Sequence, residues 1–257
     1  MLHSTTSFPS RLPMRTLALL LTFGLPLLAA DAAHAVTVIA AEVPPYVIAI
    51  RQGAPSGMTI EVLEEAARRL HEPLTIELMP MARALLQTRH RPDVLLVPPV
   101  RSPQRDAQFL WVAPLLEEAF VLVSNRHYHP APLTIAALPG GSLGVMRGSY
   151  GQSLSQPLAK AREEAVTEEL SNANKLARGR IQGWAVAWNT ARYTQQQAGL
   201  PLADLVRGET LQETAIYLAA HPDFPPREAA RWRQAIQGMQ QDGSLTRILK
   251  QYDYQAP

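Results

Sequence analysis

The sequence predicts an α/β fold with a largely parallel sheet, and three observations carry that expectation. Short β-branched runs alternate with helical patterns along most of the chain. Asp93-Val94-Leu95-Leu96-Val97 is continuously apolar after its first residue, as strands covered on both faces of a parallel sheet are. The prolines, 22 in 257 residues, fall between the periodic segments as loop punctuation and form no low-complexity tract.

The elements follow in order. Val36–Ala41 is a short strand, ended by Glu42-Val43-Pro44-Pro45-Tyr46 because prolines cannot continue a ladder. Val47–Ile50 resumes an extended run before a turn at Gln52-Gly53. Thr59 is placed to cap a helix running to about Leu70, with Ile60, Leu63, Ala67 and Leu70 on one face. Leu74–Leu78 is a strand, Arg83–Thr88 a short helix and Asp93–Val97 the buried strand. Ala119–Val123 and Ser142–Met146 are further strands, the latter followed by Arg147-Gly148-Ser149-Tyr150. Helices are expected over Ser153–Ala165 and Ala173–Arg178, strands over Gly183–Ala187 and Thr214–Ala219. Pro226–Tyr252 reads as helix broken at Asp242-Gly243.

The first 35 residues have a different character. Arg11 and Arg15 precede the apolar run Leu17–Leu28, and small residues lead to Ala33-His34-Ala35. A basic n-region, a short apolar h-region and an A-x-A site describe a cleavable secretory signal, 1–35. The alternative, a permanent anchor, is opposed by the shortness of the run and by Pro26 inside it. The chain has no cysteine, which excludes disulfides, thiolate metal sites and the acylated cysteine of a lipoprotein. A periplasmic location, without membrane embedding, is expected. Removing Arg11, Arg15 and Asp31 leaves acidic and basic residues in near balance with no basic block, so no nucleic-acid footprint is expected.

Five segments, taken in order, resemble the periplasmic solute-binding proteins of the amino-acid-binding type. They are Pro44-Pro45-Tyr46 with Gly57-Met58-Thr59; Asp93–Val97 leading to Ser102-Pro103-Gln104-Arg105; Gly144-Val145-Met146-Arg147-Gly148-Ser149; Gly179-Arg180-Ile181-Gln182; and Asp242-Gly243-Ser244-Leu245 near the end. The resemblance implies a two-lobed periplasmic binding protein-like α/β fold with two crossing strands. Its lobes would be 36–123 plus 218–257 and 124–217, crossing near Val123 and Tyr217, with a ligand cleft closed by a hinge.

The resemblance also implies that Arg105 clamps a ligand carboxylate, and a guanidinium fork suits that role. The alternative is a surface arginine paired with Asp106. Arg101 is either a second anion contact or a rim charge. Arg147, Ser149 and Tyr150 lie at a strand-to-helix turn that favours anions, although Ser149 as a plain helix cap would also explain the turn. Where the family holds the aspartate that pairs with a ligand ammonium, this chain has Ala187-Trp188-Asn189. An ordinary α-amino acid is therefore disfavoured as ligand. Trp188 offers a stacking surface or is core packing. Glu42 and Tyr46 flank the Pro-Pro turn and could face the cleft, with Glu42 either taking over the ammonium or capping a loop.

His127-Tyr128-His129 lacks a nearby third ligand, and no HExxH, P-loop or GxSxG spacing occurs, so no metal or cofactor is expected. The expected function is capture of a small carboxylate-bearing solute by a monomer for an inner-membrane ABC permease. A sensor subunit for a membrane signalling protein is the alternative. A dehydratase-like enzyme on the same fold is the third reading, with Glu42 as its one nameable acid or base. N-terminal sequencing of the exported protein should begin at Val36 or within a few residues of it. A product that keeps Met1 and sediments with membranes would show that the leader is an anchor.

Overall fold

A computed structural model describes residues 1–3, 35–50, 52–156 and 161–257. Residues 4–34 of the expected leader, including Arg11 and Arg15, lie outside the described residues. No described helix is long and apolar enough to cross a membrane.

The described residues from Ala35 onward form one compact unit. Its strands are β1 (Val36–Ala41), β2 (Leu74–Met79), β3 (Val94–Val97), β4 (Leu110–Asn125), β5 (Ser142–Met146), β6 (Arg162–Val166), β7 (Gly183–Ala187) and β8 (Leu205–Ala220). They make one eight-stranded sheet in the order β2-β1-β3-β8-β4-β7-β5-β6. β1 runs parallel to β2 and β3, and β5 runs parallel to β6 and β7. Between these two parallel sets stands the antiparallel pair β4–β8, sixteen residues in each strand. The expected strands at Ala119–Val123 and Thr214–Ala219 are parts of these longer ones. β3 joins the pair through Ala219 and Ala220, whereas β7 joins it through Phe120–Val123.

The helices are α1 (Met58–Leu70), α2 (Met81–Thr88), α3 (Tyr150–Ser155), α4 (Glu169–Ala177), α5 (Trp188–Gln197), α6 (Pro226–Gln241) and α7 (Ser244–Gln251). α1 buries Ile60, Leu63 and Ala67 on one face, at the expected spacing. That face meets Trp232, Ile236 and Met239 of α6 in a core beneath β1 and β3. A smaller core around Trp184, Val186, Ala173 and Leu176 joins β7 to α4. α6 and α7 part at Asp242-Gly243, where Gly243 takes a positive φ of 75° that suits a residue without Cβ.

Several expectations are corrected. The helix over Ser153–Ala165 is the six-residue α3, and Arg162–Val166 is strand β6. Arg162, Glu163 and Glu164 look helical in sequence, but β6 is a sheet-edge strand, where charges are at home. α4 starts at Glu169, not Ala173, and α2 starts at Met81, not Arg83. α5, with its weak apolar periodicity, was not anticipated. Val47 and Ile48 make only isolated bridges to Val43 and Ser56.

Thr59 is not the cap of α1; its hydroxyl donates to the Tyr46 carbonyl at 2.8 Å. Gly57 occupies the cap at φ 118°. The amides of Met58 and Thr59 donate to the carbonyls of Pro45 and Tyr46, tying the helix start to the Pro-Pro turn. A Cβ on Gly57 would lie 2.6 Å from the Tyr46 carbonyl oxygen and 2.8 Å from that of Pro45. Gly57→Ala should therefore lower stability by about 2 kcal/mol or more, since backbone strain and the clash act together. Urea unfolding checks this, and an unchanged midpoint would mean that the turn yields freely.

Candidate functional site

β1 and β3 run antiparallel to β5 and β7, so the two sets end facing each other near the middle of the β4–β8 ladder, and loops and helix starts gather there. In open α/β sheets such carboxyl ends are where ligands sit. A cavity with about 450 Å³ of empty space, its mouth included, lies at this place. Val43, Tyr46, Met81 and Arg105 line it from the β1–β3 half of the sheet. Met146, Ser149, Tyr150, Glu169, Ala187 and Thr190 line it from the β5–β7 half. Phe120 and Ile216 contribute from the long pair β4 and β8.

Arg105 is positioned by the loop after β3, where its amide donates to Ser102 O at 2.9 Å. Its Nη2 donates to the Gly148 carbonyl at 3.2 Å. Burial pulls its pKa below the ordinary guanidinium value, with Tyr150 acting in the opposite direction. Asp106, the partner considered for it, pairs instead with Arg101 at 2.6 Å. Among the described residues no carboxylate forms a salt bridge with Arg105. A desolvated cation without a counter-ion is costly and is well suited to an anionic ligand.

Ser149 caps α3 by accepting from the Gln152 amide at 3.1 Å, so its hydroxyl serves the helix and also lines the cavity. The Tyr150 ring meets Phe120 edge-on at 5.0 Å, and burial raises its phenol pKa while Arg105 opposes the rise. Tyr46 is buried, and its hydroxyl donates to Glu118. Glu118 also accepts from Asn189 Nδ2 at 2.8 Å and from the Ala119 amide at 3.0 Å. Burial pushes the Glu118 carboxyl up, and these hydrogen bonds hold the rise in check. It pushes the Tyr46 phenol well above the ordinary value, helped by the Glu118 charge.

Glu169, at the first turn of α4, is the cavity's carboxylate. Its Oε2 accepts from Trp184 Nε1 and from Asn172 Nδ2, both at 2.9 Å. Neither donor carries a charge. Thr190, buried at the start of α5, has a hydroxyl with no hydrogen-bond partner among the described residues.

The family model for bacterial extracellular solute-binding proteins, family 3, matches residues 36–255. The chain belongs to this family. Its fold is the two-lobed one seen in an ancestral arginine-binding protein bound to arginine, at TM-score 0.74 and 16% identity over 85% of this chain and 97% of that one. A histidine kinase sensor domain with similarity to periplasmic binding proteins aligns at TM-score 0.77 and 16% identity, covering 86% and 97%. A putative L-cystine ABC transporter protein from Listeria monocytogenes aligns at 0.74 and 15%, covering 85% and 95%. At these identities the likeness is one of fold. No curated protein sequence matches the chain.

In this solute-binding protein the residues singled out by sequence divide into two groups. Arg105, Tyr46, Ser149 and Tyr150 meet at the cavity. Arg101, Glu42 and Arg147 do not line it and are exposed. Arg101 lies 5.9 Å from the centre of the Trp111 ring, at the rim. Trp188 is also absent from the lining: its Nε1 donates to Gln255 Oε1 at 2.9 Å, and Arg207 sits 5.7 Å over its ring. Its neighbours Ala187 and Thr190 reach the cavity instead. His127 lies 3.0 Å from Asp204, and no group of three or more metal-ligating acidic, histidine or cysteine side chains occurs among the described residues.

Sequence reasoning passed over Glu118, Glu169 and Thr190. Glu118 carried a signal, a carboxylate inside the apolar run Leu115–Val123. Glu169 carried none, because Glu168-Glu169 resembles any acidic first turn of a helix.

Burial raises the Glu169 carboxyl from its ordinary 4.5 to about 7, against the pull of its two hydrogen bonds. The unfolded chain therefore releases this proton first as pH rises. Stability should fall between about pH 4.5 and 7 and level off above, this group accounting for on the order of 3 kcal/mol. Glu169→Gln should flatten that part of the profile and unfold at higher urea than wild type at pH 8. An unchanged slope would show that Glu169 titrates normally.

Proposed function

We propose that the protein captures a small carboxylate-bearing solute in the periplasm and hands it to an ABC importer in the inner membrane. The observation that carries this reading is Arg105, a desolvated guanidinium facing the cavity with no acid beside it. A planar fork of donors matches a carboxylate bidentately, and a small, largely apolar cavity excludes competing water. Family membership supports solute binding, and the likeness to a putative L-cystine ABC transporter protein supports the importer.

The lobes proposed are 36–123 with 218–257 and 124–217. The register supports placing the crossing itself a little earlier than Val123, over Pro114–Ala119 opposite Glu213–Tyr217, since Phe120–Val123 already pair with β7. Bending there would close the cavity on a bound solute. A ligand-sensing subunit is the second reading, favoured by the likeness to a kinase sensor domain. Cross-linking in cells separates the two, since an importer yields a permease adduct and a sensor yields a signalling-protein adduct.

Arg105→Ala should weaken binding of a small carboxylate by about 2–5 kcal/mol while leaving the fold intact. A thermal-shift screen of amino acids and organic acids finds the ligand, and calorimetry on the folded variant measures the loss. Near-native affinity in that variant would remove Arg105 from the site.

A further inference from the structure

β4 and β8 carry the chain between the two halves of the sheet, and a third, non-covalent connection lies beside them. Tyr252, just after α7, is rooted in the β1–β3 half: its hydroxyl accepts from the Gly57 amide at 3.1 Å and donates to Glu61 of α1. Asp253 then turns the chain with a positive φ of 52°, a conformation in which aspartate is commoner than most side chains. The residues that follow bind α5, which starts where β7 ends in the other half.

Five hydrogen bonds join Asp253 and Gln255 to the first turns of α5. Arg192 donates to the Asp253 carbonyl at 2.9 Å and to its carboxylate at 2.6 Å. Asn189 accepts from the Gln255 amide and donates to the Gln255 carbonyl, both at 2.8 Å. Trp188 Nε1 donates to Gln255 Oε1 at 2.9 Å. Between them Tyr254 donates to the Glu117 carbonyl at 2.6 Å, on the stretch of β4 proposed as a crossing. Asp253 and Gln255 are exposed polar residues, so directed bonds and not apolar burial hold them here.

In the same structure the two halves also meet across the cavity. Arg105 Nη2 donates to the Gly148 carbonyl at 3.2 Å, and a Cβ on Gly148 would lie 3.2 Å from that of Ala82 in α2. The bonds to α5 are therefore made with the cleft walls in contact. Three residues of extended chain reach at most about 10 Å. Swinging α5 away with β7 while Tyr252 stays with α1 must break these bonds. We propose that Asp253–Gln255 form a strap that holds the cleft closed, with Asn189 and Arg192 as its positioning residues on α5. The proposal rests on the hinge reading of β4 and β8 and adds the element that sets the balance between open and closed forms. Bonds made only in the closed form shift the population toward it, and affinity scales with that population. Through Asn189 the strap also fixes the start of α5, where Ala187 and Thr190 form part of the cavity wall.

The chain has no cysteine, so paired spin labels can be placed at will. Arg89→Cys and Arg178→Cys, at exposed positions in the two halves, report the distance between them by dipolar spectroscopy on the full chain without added solute. In this background the triple variant Asp253→Gly, Tyr254→Phe, Gln255→Ala removes the three side-chain bonds of the strap, and glycine suits the positive φ at 253. Arg105→Ala removes the bond across the cavity. Lys250→Ala, exposed on α7 and outside the strap, is the control. Circular dichroism confirms each fold.

The triple variant should raise the ratio of long to short distances on the order of tenfold over the unsubstituted strap, and Lys250→Ala should leave it unchanged. Gln255→Ala alone, at an exposed side chain, should move it less and in the same direction; it decides the matter if the triple variant does not fold. An unchanged ratio, a shift to shorter distances, or an equal shift in Lys250→Ala overturns the proposal. If Arg105→Ala lengthens the distance and the strap variants do not, the hinge stands and the strap falls. If no variant lengthens it, both fall.

Discussion

The β4–β8 ladder is the constraint on which the rest of the structure hangs. β3 attaches to one end of it and β7 to the other, so each parallel set of strands is positioned through these two long strands. Near the middle of the ladder stands Glu118, a fully buried carboxylate. It accepts from Tyr46, in the turn after β1, and from Asn189, in the first turn of α5. A carboxylate in that position would be expensive unless every lone pair facing the interior were satisfied. Its hydrogen bonds therefore fix the turn and the helix to the same point of the ladder.

The chain end adds to this. Gln255 exchanges backbone bonds with the Asn189 side chain at 2.8 Å in each direction, and Tyr254 donates to the Glu117 carbonyl at 2.6 Å. Arg192 of α5 pairs with Asp253 at 2.6 Å. The segment that follows α7 is thus stitched to α5 across the middle of the ladder. A bend of β4 and β8 must carry these contacts along or break them, which gives the proposed hinge a definite set of bonds to work against.

The cavity beside this ladder keeps features that a protein built for stability alone would remove. Arg105 is desolvated without an acid, Glu169 is buried without a base, and Thr190 carries an unused hydroxyl. Each costs folding free energy, and each is the kind of group that a ligand can satisfy. Trp188 shows the contrary case: its indole N–H and its ring face are both already engaged within the protein.

The α/β class, the Asp93–Val97 strand, the buried face of α1, the Asp242-Gly243 break and the place of Arg105 in its loop were all legible in the sequence. These depend on local pattern, on turn chemistry and on motifs a few residues long. Tertiary structure alone decided that Arg162–Val166 is an edge strand, because its pairing with β5 overrides helical propensity. It alone decided which carboxylates matter. Glu42, Glu118 and Glu169 have the same chemistry, and burial among residues far apart in sequence makes one an exposed loop residue, one a structural acceptor and one a wall of the cavity. The sequence by itself determined that this chain can build a cleft with an arginine in it. What shares the cavity with that arginine, residues 149, 169 and 190 among them, is set by the packing of distant elements and leaves no mark in local sequence.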